Sequence, residues 1–420
     1  MDELLEQVAD GFVPRGLAPP WYAVVFLPAG LASGFVTVSI GYLLAHHGVS
    51  VAAIGAAFAL FNLPTVWKFA VGPALDTSLS PPIWYFIHLL LGIVALVVLG
   101  LTPLTTDHLR LLSGVLLAMG VAISAAGSSA TAVMALTTAN EKRGAAAGWI
   151  QTGQLGGSGV GGGLGLWLAE HGGGQLTAAL VLAFICALCA LPMLAVRVPP
   201  RLANIALRTR LVEVLGAVWN LTRTRGGVLA ILANVLPASL GAAGQLLSTV
   251  ASDWHASADL VALMLGVVTG VANIPGCVIG GYLCDIFPRR TVYMTGALGC
   301  ALAEAAMAWG PHTPGWFSFF VVLSAVLLGL SWAAVAAVAF EQLGTTATAT
   351  VAAMLSSLSN LPVVVMVAVV GSVQVKHGSS GMLLIEAAFG VGSVLVFGLV
   401  AGLWKASPAD PEPEPVSALA

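Results

Sequence analysis

Two apolar halves of nearly equal length, held apart by an arginine-rich segment, constrain this chain more than anything else in it. The segment Arg197 to Arg225 carries Arg197, Arg201, Arg208, Arg210, Arg223 and Arg225 against one acid, Glu213. A membrane-crossing helix needs about 20 apolar residues. The sequence offers twelve such runs, near 21–45, 51–75, 82–101, 110–138, 145–169, 175–197, 227–251, 258–284, 291–310, 315–340, 347–374 and 380–404. Six precede the arginines and six follow them. The chain therefore reads as an all-α membrane protein with 12 transmembrane helices in two six-helix bundles. Its parts are a cytoplasmic segment at 1–20, a first bundle at 21–197, a basic cytoplasmic linker at 198–226, a second bundle at 227–404 and a tail at 405–420. The tail is rich in proline and acid and is expected to be disordered.

Composition excludes the soluble alternatives. Only 8% of the 420 residues are charged, whereas a soluble domain carries about 25%. The 49 glycines suit helices that pack closely in lipid. No tract suggests nucleic-acid binding. The Cys186–Cys189 spacing resembles a redox or metal pair, but no basic neighbour favours a thiolate, so apolar packing is the better reading. No HExxH and no paired aspartates point to an enzyme, and no cofactor is implied beyond a proton gradient. The first apolar run is too long for a cleaved signal and many more follow it.

Lysine and arginine placement sets the orientation. With the N-terminus in the cytoplasm, Arg15, Lys142, Arg143, the six central arginines, Arg289, Arg290 and Lys405 all face inward, twelve of the 15 basic residues. Arg110 and Lys376 fall outside and Lys68 within a run. The histidines sort oppositely: His46, His47, His108, His171, His255, His312 and His377 fall in outer loops, and only His88 within a run. Short polar loops explain them more simply than a pH-sensing surface. Both termini are expected in the cytoplasm.

The second run of each half ends in a related loop. One holds Gly72-Pro73-Ala74-Leu75-Asp76, the other Gly281-x-Leu283-x-Asp285-x-x-x-Arg289-Arg290. The latter resembles the loop signature of the major facilitator superfamily. The resemblance implies a transporter whose two bundles rock about a central cavity, acting as a monomer among membrane lipids on a small-molecule solute. It also implies an inner gate at Asp76, Asp285, Arg289 and Arg290, whose charges latch the outward-open state. A closer resemblance, over most of the first half, is to the branch of AmpG-type muropeptide permeases and acetyl-CoA transporters. It rests on Leu63-Pro64 through Lys68-Phe69, Gly72 to Asp76, Gly30 to Gly34, Glu141 to Ala145, and Gly162-Gly163-Leu164 through Leu168-Ala169-Glu170. It implies a bacterial inner membrane and a polar, sugar- or peptidoglycan-derived solute. AmpG-type proteins carry acids in span 4 linked to proton use; here Ser124 to Ala132 holds none. The rivals are a drug or metabolite exporter of the same fold, and a membrane sensor that moves no solute.

Charge inside a bilayer is costly, about 2.5–3.5 kcal/mol at a helix centre, so Lys68, Glu304 and Glu386 each need a reason. Lys68 stands two turns from Asp76, roughly 12 Å, beyond a bend expected at Pro64. It either attracts an anion at the cavity wall or snorkels to the interface. Glu304 and Glu386 are candidate proton sites, although a structural contact is the stronger reading. The expected cavity residues are Ser33, Thr37, Tyr42, Ser128, Gln151, Gln154, Asn234, Gln245, Trp332 and Asn360, whose hydroxyls, amides and rings suit a polar ligand. A single serine is as much at home in helix packing, whereas an amide is harder to leave unpaired in lipid. Gly153, Gly157, Gly161 and Gly165, four residues apart, mark a face where a neighbouring helix comes close, and are expected to let the halves rock. The match to GxGxxG at Gly157 to Gly162 lacks the strand–turn–helix context of a nucleotide site.

Overall fold

The computed structural model describes residues 15–67, 79–138, 140–198, 216, 219, 222–236, 238, 241–341, 354–355 and 357–405, with backbone alone at 140–145, 147–148, 339–341 and 404–405. Lys68, Asp76, Arg201, Arg208, Arg210 and residues 406–420 lie outside it.

The described chain is helical. In order the helices are α1 (Pro19–His46), α2 (Val51–Trp67), α3 (Pro81–Leu101), α4 (Leu109–Thr137), α5 (Asn140–His171), α6 (Gln175–Ala195), α7 (Arg225–Val235), α8 (Ala242–Val250), α9 (Ala258–Ile286), α10 (Arg289–Trp309), α11 (Pro314–Glu341) and α12 (Asn360–Lys405). Among the described residues, eight helices are long and apolar enough to cross a membrane, while Val51–Trp67 and Arg225–Val235 are shorter apolar helices. Starts follow local chemistry. Proline opens α1, α3 and α11, where a missing N–H has no helical partner to lose. Ser50, Thr224 and Ser257 cap α2, α7 and α9 by accepting the N–H of Ala53, Gly227 and Leu260 at 3.4, 3.0 and 3.3 Å.

Two apolar runs fold differently from a plain helix. The run at 227–251 is split: α7 stops at Val235, Leu236 is extended, and α8 begins only after Gly241, whose φ of 78° is left-handed. Leu236 precedes Pro237, which disfavours helical backbone in the residue before it. Conversely, the last run begins with no loop before it. Only Gly378 separates it from the run before, and its non-helical φ of 67° and ψ of −172° divide α12 into two arms, 360–377 and 379–405. Both α1 and α9 contain a wider π-helical stretch, Phe35–Ile40 and Ala262–Val268.

The histidine-bearing ends of the helices gather on one side. Gln175 Nε2 donates to the carbonyls of Gly100 and Thr102 at 3.0 and 2.7 Å. His171 faces Asp259 at 3.9 Å, Trp254 stacks on His312 with centroids 5.0 Å apart, and Ser380 donates to the Ala308 carbonyl at 2.9 Å. On the arginine side, Arg15 and Arg197 exchange backbone hydrogen bonds of 3.0 and 2.9 Å, so the chain enters and leaves its first half at one point. All five cysteines are free thiols, and Cys186 and Cys189 are buried within α6.

Candidate functional site: where the halves of the chain meet

The predicted glycine stripe faces its own half. Gly157 stands against Gly30 and Leu31, so that a Cβ there would lie 3.1 Å from the Gly30 Cα and from the Leu31 nitrogen. Gly153, Gly161 and Gly165 press on Ala23, Leu31 and Phe35 in the same way. The stripe therefore seats α5 on α1. Gly157→Leu is expected to lower folded yield, read by size-exclusion chromatography, more than it slows transport, because overpacking two backbones in contact costs about 1–3 kcal/mol.

A second set of glycines, offset around α5, meets the other half. A Cβ on Gly266 of α9 would stand 2.6 Å from the Gly163 nitrogen and 3.1 Å from the Gly159 carbonyl oxygen. One turn on, a Cβ on Gly270 would lie 3.2 Å from the Leu155 oxygen. These contacts border an apolar groove of about 250 Å³ that Gly159 and Gly270 line together with Thr152, Leu155, Val271 and Ile274. The first arm of α12 meets α2 by the same device: a Cβ on Gly371 would lie 3.0 Å from the Val51 oxygen and 3.4 Å from the Gly55 Cα. Both pairs lie on the histidine side, near the starts of α2 and α9 and the ends of α5 and the first α12 arm. Glycine is required because only a residue without Cβ lets backbones approach this closely.

Hydrogen bonds also cross between the halves beside these glycines. Asn62 Nδ2 donates to Gln245 Oε1 at 2.9 Å and to its own helix at the Phe58 carbonyl at 3.0 Å. Ser248 Oγ donates at 2.6 Å to the Thr37 carbonyl, inside the π-helical stretch of α1. Both cross-half partners from the second half belong to the short helix α8. Asn62→Leu and Gln245→Leu should each favour the form in which the histidine side is open. A double-mutant cycle on that equilibrium should return a coupling of about 0.5–1.5 kcal/mol; strict additivity would show the amides do not act together.

The start of α8 is held from a distant helix. Glu386, in the second α12 arm and 1% exposed, accepts the N–H of Ala242 at 2.8 Å through Oε1 and that of Ala243 at 2.5 Å through Oε2. A carboxylate there satisfies donors that a helix start otherwise leaves bare and complements its positive end.

The other residues expected at the site scatter. Thr37 uses its hydroxyl on the Ser33 carbonyl at 2.9 Å, and Ser128 and Asn234 likewise bond to Ser124 and Ala230 one turn back, at 3.1 and 2.8 Å. Tyr42 stacks on His46, 5.9 Å between centroids. Gln151 is exposed, and Gln154, Trp332 and Asn360 are half-buried. Asp285 is exposed beside half-buried Arg289 and Arg290, and no ion pair joins them among the described residues. Glu304 is buried in α10. Asn62, Ser248, Gly266 and Gly371 lie outside the set that the sequence points to. Asn62, an amide inside an apolar run, carried a readable signal; the two glycines, among 49, carried none.

An all-helical fold with eight long apolar helices among the described residues defines a multi-pass membrane protein. The chain belongs to the Major Facilitator Superfamily, whose sequence profile matches residues 22–366. No curated protein matches the sequence. Among solved structures, a mutant of the nucleoside transporter NupG superposes with a TM-score of 0.71 at 18% identity, over 91% of this chain and 98% of that one. A D-xylose–proton symporter gives 0.71 at 16%, over 90% and 96%. The inward-open xylose transporter XylE from E. coli gives 0.67 at 15%, over 94% and 96%. These likenesses show the fold.

Proposed function

We propose that this protein is a secondary active transporter that moves a polar, sugar- or peptidoglycan-derived solute across a bacterial inner membrane, driven by protons. Two six-helix bundles, 21–197 and 227–404, alternate access to a cavity between them. Twelve crossings follow if the eight long helices are joined by α2, α5, α7 with α8 as one broken span, and the second arm of α12. The observation that carries the reading is the asymmetry of the contact. Glycine pairs and the Asn62–Gln245 and Ser248–Thr37 bonds close the histidine side, while an apolar groove lies between α5 and α9 toward Thr152 and Ile274 and, among the described residues, no ion pair joins Asp285 to Arg289 or Arg290. With the arginine side in the cytoplasm, this is an inward-facing form. A nucleoside transporter and a sugar symporter among the structural neighbours support a polar solute, as do the amides and hydroxyls near the contact. The AmpG-like branch rests on motifs such as Gly30 to Gly34, whose glycines on α1 pack against α5.

The test is uptake of labelled GlcNAc-anhydro-muropeptide in cells lacking their own permease. Uptake abolished by a protonophore, and weakened by Lys68→Met, is expected. Background uptake would reject the branch, and xylose and nucleosides would be tried next.

A further inference from the structure

The second half contains two buried acids at one level. Tyr293 of α10 packs on Phe397 of α12, with centroids 4.8 Å apart, and the Ala308 carbonyl bonds to Ser380 at 2.9 Å. Those contacts fix an antiparallel register in which Glu304 stands level with Glu386. Glu304 and Glu386 are 8% and 1% exposed, and Cys300, one turn before Glu304 on α10, turns its thiol to Ser331 of α11 at 3.6 Å. Among the described residues, α8 offers no titratable group facing them, α7 has only Arg225 at its far end, and α10 offers Cys300 and Glu304 itself. On α12 the nearest charged groups are Lys376 and His377, more than two turns away. Two carboxyls in one dry layer strongly disfavour carrying two charges.

Glu386 also has a mechanical role. It holds the first two N–H groups of α8. Three residues along α8, Gln245 takes the Asn62 amide, and three further on Ser248 reaches the Thr37 carbonyl. A rigid helix of nine residues thus joins the carboxylate directly to the contact that closes the histidine side.

We propose that Glu386, paired with Glu304, is the proton-binding site that sets this gate. Ionised Glu386 grips the start of α8 and holds the histidine side closed; protonated Glu386 loses its charge and one acceptor oxygen, releases α8 and lets that side open. The inference rests on the transporter reading, and gives it an order: the proton is taken up with the outer side open and given up after closure. It also accounts for a fourth span without acid.

The test reads the gate without any solute. Nitroxide labels are attached through encoded ketone residues replacing Ser50 and Lys376, both exposed and on opposite halves of the histidine side; the native cysteines stay. Pulsed electron resonance on the full-length protein in nanodiscs then gives the distance distribution from about pH 8 to about pH 5, with the long-to-short ratio rising by up to about tenfold per pH unit. Glu386→Gln should show the long distance at every pH, and Glu304→Gln should keep the pH response with a displaced midpoint. Should Glu386→Gln fail to fold, Glu386→Asp should retain the response with its midpoint moved. A wild-type distribution that ignores pH, or a pH response surviving in Glu386→Gln, overturns the proposal. The two readings fail separately. Proton-driven uptake with a pH-insensitive gate sinks the proton site alone, whereas a pH-responsive gate in a protein that moves no solute supports the site and counts against transport.

Discussion

Gly266→Leu should abolish solute uptake while the protein still folds and inserts. In the closed form a Cβ at this position would fall 2.6 Å from the Gly163 nitrogen, and backbone on both sides leaves nothing flexible to give way. The substitution therefore penalises only the form in which α5 and α9 touch. Overpacking of this kind costs about 1–3 kcal/mol, and that is about 5- to 150-fold in the ratio of two conformations. The larger value applies here, because a Leu side chain extends well past its Cβ. The labels at positions 50 and 376 should then report the open distance even at high pH. Gly114→Leu is the matched control, since nothing lies within 4 Å of a Cβ at Gly114, and it should transport normally. Normal uptake in Gly266→Leu would mean that the two helices never close on one another during turnover.

Glu386→Ala should be the most destabilising single change in the second half. It removes the acceptor of two backbone N–H groups in a place that water does not reach. A buried donor left without a partner costs about 1–3 kcal/mol, so the pair amounts to about 2–6 kcal/mol. A cavity adds to this. The melting temperature of detergent-solubilised protein should fall clearly. Glu386→Gln, which keeps one acceptor oxygen for one of the two donors, should fall less, while its gate ceases to respond to pH. Equal losses in the two variants would show that charge rather than hydrogen bonding stabilises the contact. No loss in either would remove Glu386 from the support of α8.

These two residues show how differently parts of the chain could be read. Glu386 announced itself, because an acid in an apolar run has to be explained. What it does was hidden, since its partners Ala242 and Ala243 offer only backbone, and backbone donors have no sequence signature. Gly266 gave no sign at all. The four-residue glycine spacing in α5 pointed to Gly153, Gly157, Gly161 and Gly165, and these do mark a close helix contact, though it is with α1. The face that meets the other half is set by which helix happens to lie on the far side of α5, and no periodicity within α5 carries that.

The apolar runs, the arginine-rich segment between them and the loop residues Gly281 to Arg290 were enough to determine the helical membrane class and the superfamily. Each is a local property, decided by whether a stretch of some twenty residues can exchange water for lipid. The glycine pairs across the halves and the reach of Glu386 to α8 were decided by tertiary structure alone. They arise where backbones distant in sequence come within van der Waals contact, and that distance depends on how whole helices pack rather than on any residue's own preference.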